Sequence, residues 1–202
     1  MNEMEREFKW AAVSEKDFDR FLSSLQSTLG TLPTAEVLHI SDSYLDNTQH
    51  LFSLQKVALR IRQMGGHFEA TMKSRTQLVG GMAFRRELTL PLQASTRERA
   101  LAELAARKEW EGYAFGNLCV RFEIQNKRVL YSFSFKNACC EVALDRYTIL
   151  TSAKSLFCRE VEMELKGGSE QDFAELVQRL SEQSGLKPAK ISKVATAEKL
   201  LK

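Results

Sequence analysis

Charged side chains recur at every second position in several short segments of this chain. The stripes are Glu5, Glu7 and Lys9; Arg60 and Arg62; Thr71 and Lys73; Arg85 and Glu87; and Glu160, Glu162 and Glu164. Residues two apart share one face of a β-strand, so each stripe lies opposite a largely apolar one. Arginine and lysine suit phosphate groups, and clustered glutamates suit a hard divalent cation. The combination therefore predicts a metal-complexed polyphosphate as ligand.

Turn and cap residues divide the chain into elements that would carry these stripes. Strands are predicted over residues 3–12, 35–46, 56–64, 67–74, 83–91, 118–134, 139–147 and 157–165, with a polar loop over 47–55. Helices are predicted after Ser14, over 95–108, after Ser169 and after Ser192. Strands outnumber helices and run in hairpins, which predicts a mostly antiparallel sheet in a single domain spanning residues 1–202.

The charged stripes restrict how this sheet can fold, because ionised side chains are not buried in a dry core. A flat sheet could turn them to bulk water, or a closed sheet could turn them into a wet lumen. The opposite faces are bulky and apolar, and amphipathic helices are available to cover them. We therefore expect an α+β fold: a closed antiparallel β-barrel of about eight strands that forms a charged tunnel, with helices packed outside.

Composition limits the partners and the cellular location that we expect for this protein. A net charge of +3 gives little general attraction to nucleic acid, so a nucleic-acid partner is not expected. No apolar run approaches the roughly 20 residues of a membrane span, and the first residues lack a signal-peptide pattern. Cys119, Cys139, Cys140 and Cys158 include no CxxC spacing, which predicts reduced, mostly core cysteines in a cytoplasmic protein. The oligomeric state is left open.

The N-terminal Glu5-x-Glu7-x-Lys9 resembles the signature of the CYTH family, also called triphosphate tunnel metalloenzymes. The resemblance continues in order through Tyr44-x-Asp46, Leu59-Arg60-Ile61-Arg62, Thr71-x-Lys73, Arg85-x-Glu87, Lys127-Arg128 with Tyr131, Ala143-Leu144-Asp145, Glu160-x-Glu162 and Ser192-Lys193. Gly80-Gly81 and the Ser-Gly-Leu run at 184–186 resemble the bacterial inorganic triphosphatases of that family. Each motif is short, but their order over nearly the whole chain is specific. The family's tunnel fold agrees with the closure expected from alternation.

Two positions depart from the family pattern. Thr89 stands where the RxExE strand has its third acidic residue, and Asn126 stands where the KxR strand has its first basic residue. Each departure removes one charge from the expected tunnel.

The resemblance implies a role for each matching residue. The implied catalytic residues are Glu5, Glu7, Lys9, Glu87 and Asp145, with Asp145 or Glu87 positioning a water molecule or orienting a basic partner. The implied triphosphate ligands are Lys9, Arg60, Arg62, Lys73, Arg85, Lys127, Arg128 and Lys193. The implied metal ligands are Glu5, Glu7, Glu160 and Glu162, and oxygen ligands suit Mg²⁺ or Mn²⁺.

The leading functional prediction is metal-dependent hydrolysis of inorganic triphosphate to pyrophosphate and phosphate. A thiamine triphosphatase would need an aromatic cradle, for which Trp110 and Tyr113 are candidates. A class IV adenylyl cyclase would need adenine contacts, and none is identified. A non-catalytic polyphosphate-binding module is a further alternative, although phosphate binding alone gains nothing from the glutamates.

Overall fold

The computed structural model of the chain describes residues 2–74, 77–79, 82–106 and 118–202. Its strands are β1 (Asn2–Ala12), β2 (Ala35–Asp46), β3 (Ala58–Met64), β4 (His67–Lys73), β5 (Gln77–Val79), β6 (Met82–Leu92), β7 (Cys119–Phe135), β8 (Ala138–Leu150) and β9 (Ser155–Gly168). Its helices are α1 (Glu15–Leu29), α2 (Leu51–Leu54), α3 (Arg97–Ala105), α4 (Glu170–Ser184) and α5 (Lys193–Leu200).

The strands form one antiparallel sheet in the order β1-β9-β8-β7-β2-β3-β4-β6-β5, and β1 also pairs with β6. The pairing of β1 on both of its edges curls the sheet around a central cavity. This confirms the antiparallel, β-rich fold with helices, although one of them, α5, packs on the inward face rather than outside. The expectation of a closed barrel of about eight strands is corrected to a curled, incompletely closed sheet, in which the described residues form nine strands. The ninth strand arises because β4 pairs with β6 only from Glu87 to Leu92, which leaves Met82–Phe84 of β6 to pair with β5.

Helices cover the outer, apolar face of the sheet. Helices α1 and α4 bury Phe21, Leu25 and Leu176 against outward-facing residues of β1, β8 and β9. Trp10 belongs to this core and is fully buried, and its indole N–H donates to Ser181 Oγ at 2.8 Å. Helix α3 covers β3, β4 and β6 in a second core. The outward apolar stripe predicted for these strands is therefore confirmed.

Helix α5 packs against apolar residues on the inward face of the curled sheet. Ala197 is buried with Tyr44, Ile124 and Tyr147 in a third core. Ile124 lies four residues before Arg128 in β7, and Tyr147 lies two after Asp145 in β8, so these apolar side chains share the face of the charged ones. We call the inward-facing cluster of Tyr44, Phe122, Ile124, Tyr147 and Ile149 the apolar floor.

The predicted helix starts are confirmed by their caps. Asp17 accepts a hydrogen bond from the Ser14 N–H at 2.9 Å, as in a capping box. Ser169 Oγ accepts from the N–H of Asp172, and Ser192 Oγ accepts from the N–H of Ala195, each at 3.1 Å. The polar loop predicted over 47–55 instead contains α2.

Two further expectations concern the cysteines and the membrane. All four cysteines are free; Cys140 is buried, but Cys119 and Cys139 are exposed, so the expectation of mostly core cysteines is wrong for these two. Within the described ranges, no helix combines the length and apolar character that a membrane crossing requires.

Burial of α1 against the sheet predicts a stability effect. Leu25 is fully buried and Leu54 is 73% exposed. Leu25→Ala should lower the free energy of unfolding by about 2–5 kcal/mol because it leaves a cavity, whereas Leu54→Ala should change it by less than about 0.5 kcal/mol. Urea titration followed by circular dichroism measures both. Equal midpoints for the two variants would contradict the packing described for α1.

Candidate active site

The charged stripes face a cavity of about 810 Å³ inside the curled sheet. The charged side chains along its wall include Glu5, Glu7, Lys9, Asp42, Arg60, Arg62, Glu69, Lys73, Glu87, Arg128, Glu141, Glu162, Glu164 and Lys193. Alternation therefore placed most of the predicted site residues correctly on the inward face. Many of them fall into two groups: one on β7, β8, β9 and α5, and one on β2 and β3.

The first group is centred on Asp145, which is completely buried. In the sheet register Asp145 of β8 lies between Arg128 of β7 and Glu160 of β9. Arg128 donates two hydrogen bonds to the Asp145 carboxylate, each at 2.7 Å, and a further one to Glu162. The cap of α5 at Ser192 brings Lys193 to the same point. Its ammonium lies 2.7 Å from Asp145 and Glu162 and 3.0 Å from Glu160.

Burial and ion pairing act in opposite directions on these carboxylates. Burial alone would raise the pKa of Asp145 and of Glu162, but Lys193 and Arg128 lower both pKa values below their usual range, and Lys9 also acts on Glu162. At Glu160 burial prevails over Lys193 and Lys9, and it raises the pKa to about 7. The group therefore holds two firmly ionised carboxylates and one that titrates near neutral pH.

The three carboxylates fit a hard divalent cation. Each of Asp145, Glu160 and Glu162 offers an oxygen, and these oxygens lie within 4.8 Å of one another. Lys193 already places a positive charge among them, which indicates that the position suits a cation. Glu160 Oε1 is buried without a hydrogen bond, although the Lys193 ammonium lies 3.0 Å from it. Oxygen donors are the ligands that Mg²⁺ and Mn²⁺ prefer.

The predicted metal ligands do not all lie in that trio. Glu160 and Glu162 belong to it, but Glu5 contacts Lys73 at 3.0 Å and Glu7 contacts Lys9 at 3.1 Å. Among the described residues, the third member within ligating distance is Asp145. Lys9 joins the two sets, because it also pairs with Glu162.

The second group is centred on Asp42, which sequence reasoning did not single out. Arg62 donates two hydrogen bonds to its carboxylate, both at 2.8 Å, and Arg60 lies 3.4 Å from it. Burial would raise the pKa of Asp42, but these two guanidinium groups lower it to about 2. The available signal was the β2–β3 register, in which Asp42 lies directly opposite Arg62.

Lys73 and Glu87 extend the second group toward β1. Lys73 pairs with Glu87 at 2.6 Å as well as with Glu5. Thr89, at the first departure from the family pattern, bonds to Glu87 and to Thr71 at 3.1 and 3.2 Å. Asn126, at the second departure, is buried and faces the cavity.

The order of these residues along the chain and their convergence on one cavity decide the family, and the CYTH domain matches residues 2–197. The chain belongs to the CYTH family. An inorganic triphosphatase from Haemophilus influenzae is 29% identical over 143 residues, which is 71% of this chain and 40% of that protein. The chain thus spans about two fifths of the length of this curated relative.

Solved CYTH-like structures agree in fold. A Hippeastrum protein, named as a candidate adenylyl cyclase with a dominant triphosphatase activity, superposes with a TM-score of 0.71 at 16% identity, covering 96% of this chain and 95% of its own. A candidate adenylate cyclase from Bacillus halodurans superposes at 0.64 and 20% identity, covering 96% and 97%. At these identities the likeness extends to the fold alone.

Some residues predicted from the CYTH resemblance either face away from the cavity or lie outside the described part of the chain. Lys127 is exposed on the outer face, because it alternates with inward-facing Asn126 and Arg128; its prediction as a phosphate ligand is corrected. Arg85 lies in β6 opposite Glu5, but its side chain is outside the described part of the chain. Gly80, Gly81, Trp110 and Tyr113 also lie outside the described residues.

The raised pKa of Glu160 predicts a pH-dependent loss of stability. Between pH 4.5 and about 7 the folded chain keeps this proton while the unfolded chain loses it. The stability that the protonated group contributes is therefore present at low pH and is lost as the pH rises to about 7. In chelator, the free energy of unfolding of the wild type should fall relative to Glu160→Gln across this window, by at most about 1.4 kcal/mol per pH unit. Urea titrations at a series of pH values measure the difference, and parallel profiles would contradict the burial of an unsatisfied carboxylate.

Proposed function

We propose that this chain hydrolyses inorganic triphosphate to pyrophosphate and phosphate, with a divalent metal ion, inside the cavity of the curled sheet. One observation carries the proposal: a single cavity is lined by paired arginines and lysines and by Glu162, whose carboxylate forms a compact trio with those of the buried Asp145 and Glu160. Membership of the CYTH family and the inorganic triphosphatase relative from Haemophilus influenzae support it. We also propose that the protein is cytoplasmic and that its partner is a small-molecule triphosphate.

The cations of the cavity would bind the triphosphate. They are Lys9, Arg60, Arg62, Lys73, Arg128 and Lys193, each within 4.0 Å of a carboxylate oxygen. These contacts hold the long side chains in place before substrate arrives, which lowers the ordering cost of binding. Arg62 and Arg128 present planar forks that match phosphate oxygens, whereas the lysines supply compact charge.

Mg²⁺ or Mn²⁺ would be held by Asp145, Glu160 and Glu162, and when bound it would neutralise phosphate charge and polarise a water molecule. Glu162 and Asp145 are suited to hold a cation because their pKa values are lowered and they stay ionised at neutral pH. Asp145 is fixed by Arg128 and Lys193, which favours the role of orienting these basic partners over that of a free proton acceptor. Most of the rate would come from positioning and from charge stabilisation of the leaving pyrophosphate.

The alternatives are less well supported by the cavity wall. Among the described residues that line it, Tyr44 is the one aromatic side chain, and its ring stacks on Phe122 at 4.7 Å. A thiazole, pyrimidine or adenine ring therefore finds no free aromatic partner among these residues. A non-catalytic binder of polyphosphate would not need the buried carboxylate trio, whose assembly costs desolvation energy.

The substrate assignment predicts the outcome of a parallel assay. Inorganic triphosphate, thiamine triphosphate, ATP and pyrophosphate are each incubated with Mg²⁺, with Mn²⁺ and with chelator, and released phosphate is measured. Fast release from inorganic triphosphate alone, lost in chelator, is expected. Cyclic AMP formed from ATP would instead support the cyclase. Triphosphate binding without turnover, unchanged by chelator, would support the binding module.

The carboxylate trio predicts a selective loss of turnover. Glu162→Gln keeps the shape of the side chain but removes the charge shared by Lys9, Arg128 and Lys193. Its kcat for inorganic triphosphate should fall by at least about a hundredfold, because charge positioning supplies most of the rate. Glu36→Gln, on the exposed part of β2, is the matched control and should behave as wild type. Comparable kcat values for the two variants would exclude the trio from catalysis.

A further inference from the structure

Asn126 is a buried polar residue of the cavity that its surroundings leave incompletely satisfied. Its side chain exposes 7% of its surface, and its Oδ1 atom is buried without a hydrogen-bond partner. It lines the cavity from β7, two residues before Arg128 on the same face. A buried carbonyl oxygen without a partner loses its hydration without compensation, so such atoms usually have a ligand or a water molecule to bind.

The position of Asn126 places it at the bottom of the charged cavity. In the sheet register it lies between Ile40 of β2 and Tyr147 of β8. Tyr147 belongs to the apolar floor, and the Lys193 ammonium lies 4.9 Å from its ring centroid. A phosphoryl group that reached this end of the cavity would therefore be near both Lys193 and the carboxamide.

A second unsatisfied atom belongs to a residue that lines the same cavity. Arg60 lies opposite Tyr44 of the apolar floor, and its Nε atom is buried without a partner. Arg60 is a donor, whereas Asn126 Oδ1 is an acceptor. A fully ionised phosphate offers acceptors only, and it would satisfy Arg60 but repel the carbonyl oxygen. A monoprotonated phosphoryl group offers both, through its P–O⁻ and its P–OH.

We propose that Asn126 is a specificity-determining residue that accepts a hydrogen bond from the P–OH of a monoprotonated terminal phosphoryl group at the floor of the cavity. The inference rests on the proposed triphosphatase function, because it assigns a contact to the substrate of that site. A neutral amide fits this role because it adds no charge and can turn its oxygen to the proton-bearing atom. A lysine at the same position would donate only, and would favour the fully ionised group.

Other groups near Asn126 also respond to pH, so the test must separate them. The titratable or charged side chains that face it are Asp42 of β2, Arg60 and Arg62 of β3, Arg128 of β7, Asp145 and Tyr147 of β8, Cys158 and Glu160 of β9, and Lys193 of α5. Their titration is common to the wild type and to a neutral variant at position 126. A ratio of the two proteins at each pH therefore isolates the contact to the substrate.

The experiment compares wild type, Asn126→Leu and Gln125→Leu with inorganic triphosphate and Mg²⁺ across a range from about pH 5.5 to about pH 8.5. A phosphate ester loses its last proton at about pH 6, and a terminal phosphoryl group titrates within this range. The ratio of kcat/KM between wild type and Asn126→Leu should be about three- to tenfold at the acidic end, the size of one lost neutral hydrogen bond, and should fall toward one at the basic end. Gln125→Leu removes an exposed amide from the neighbouring, outward position and should match wild type throughout.

A second readout separates failure of this proposal from failure of the proposed function. Calorimetric titration with inorganic triphosphate in chelator gives Kd without turnover, and the same pH-dependent ratio is expected. Asn126→Ala, which adds no apolar volume, should reproduce the result if Asn126→Leu does not fold. A ratio that stays constant with pH would overturn the proposal, because the amide would then donate to a phosphate oxygen. A ratio of one throughout would overturn it as well.

Discussion

The position of one ammonium group connects most features of this fold. Lys193 lies within 3.0 Å of carboxylates from two adjacent strands, and Arg128 binds two of the same carboxylates from a third. Charges buried without a partner are strongly destabilising, so inward-facing acids and bases must be matched across the strands. The sheet can turn its charged faces inward only because its register brings opposite charges together. The charged groups that would bind substrate thus also neutralise one another when substrate is absent.

Much of this arrangement could be predicted from the sequence because strand alternation is strictly local. Two-residue periodicity placed Glu5, Lys9, Arg60 and Glu162 on one face, and the bulky residues between them required a covered outer face. The strands and the helix caps followed from the same short-range signals. Register is a longer-range property, and so the partners of each charge were not predicted. The pairing of Asp145 with Arg128 and Lys193 depends on three elements that no local pattern aligns.

The backbone explains why Asp42 was not predicted as a cavity residue although the nearby Asp46 matches a family motif. Asp46 matches a family motif, but a register shift between Tyr44 and Leu45 changes the pairing before Asp46 is reached. Its carboxylate accepts the N–H groups of Phe52 and Ser53 and fixes the start of α2 instead. Asp42, before the shift, takes the inward position beside Arg62. The unpaired residue of this shift is Arg121 of β7, and Asp46 beside it is held by α2 while Asp42 faces the cavity.

Helix α5 shows how an apolar contact can position a charge. An eight-residue helix carries too little periodic signal to predict where it docks, and its docking is decided by the apolar floor on which Ala197 is buried. That contact places the N-terminal turn of α5, and with it Lys193, at the carboxylate trio. The same inward face of β7 and β8 thus changes from an apolar cluster to a charged site within two to four residues, because Ile124 lies four residues before Arg128 and Tyr147 two after Asp145.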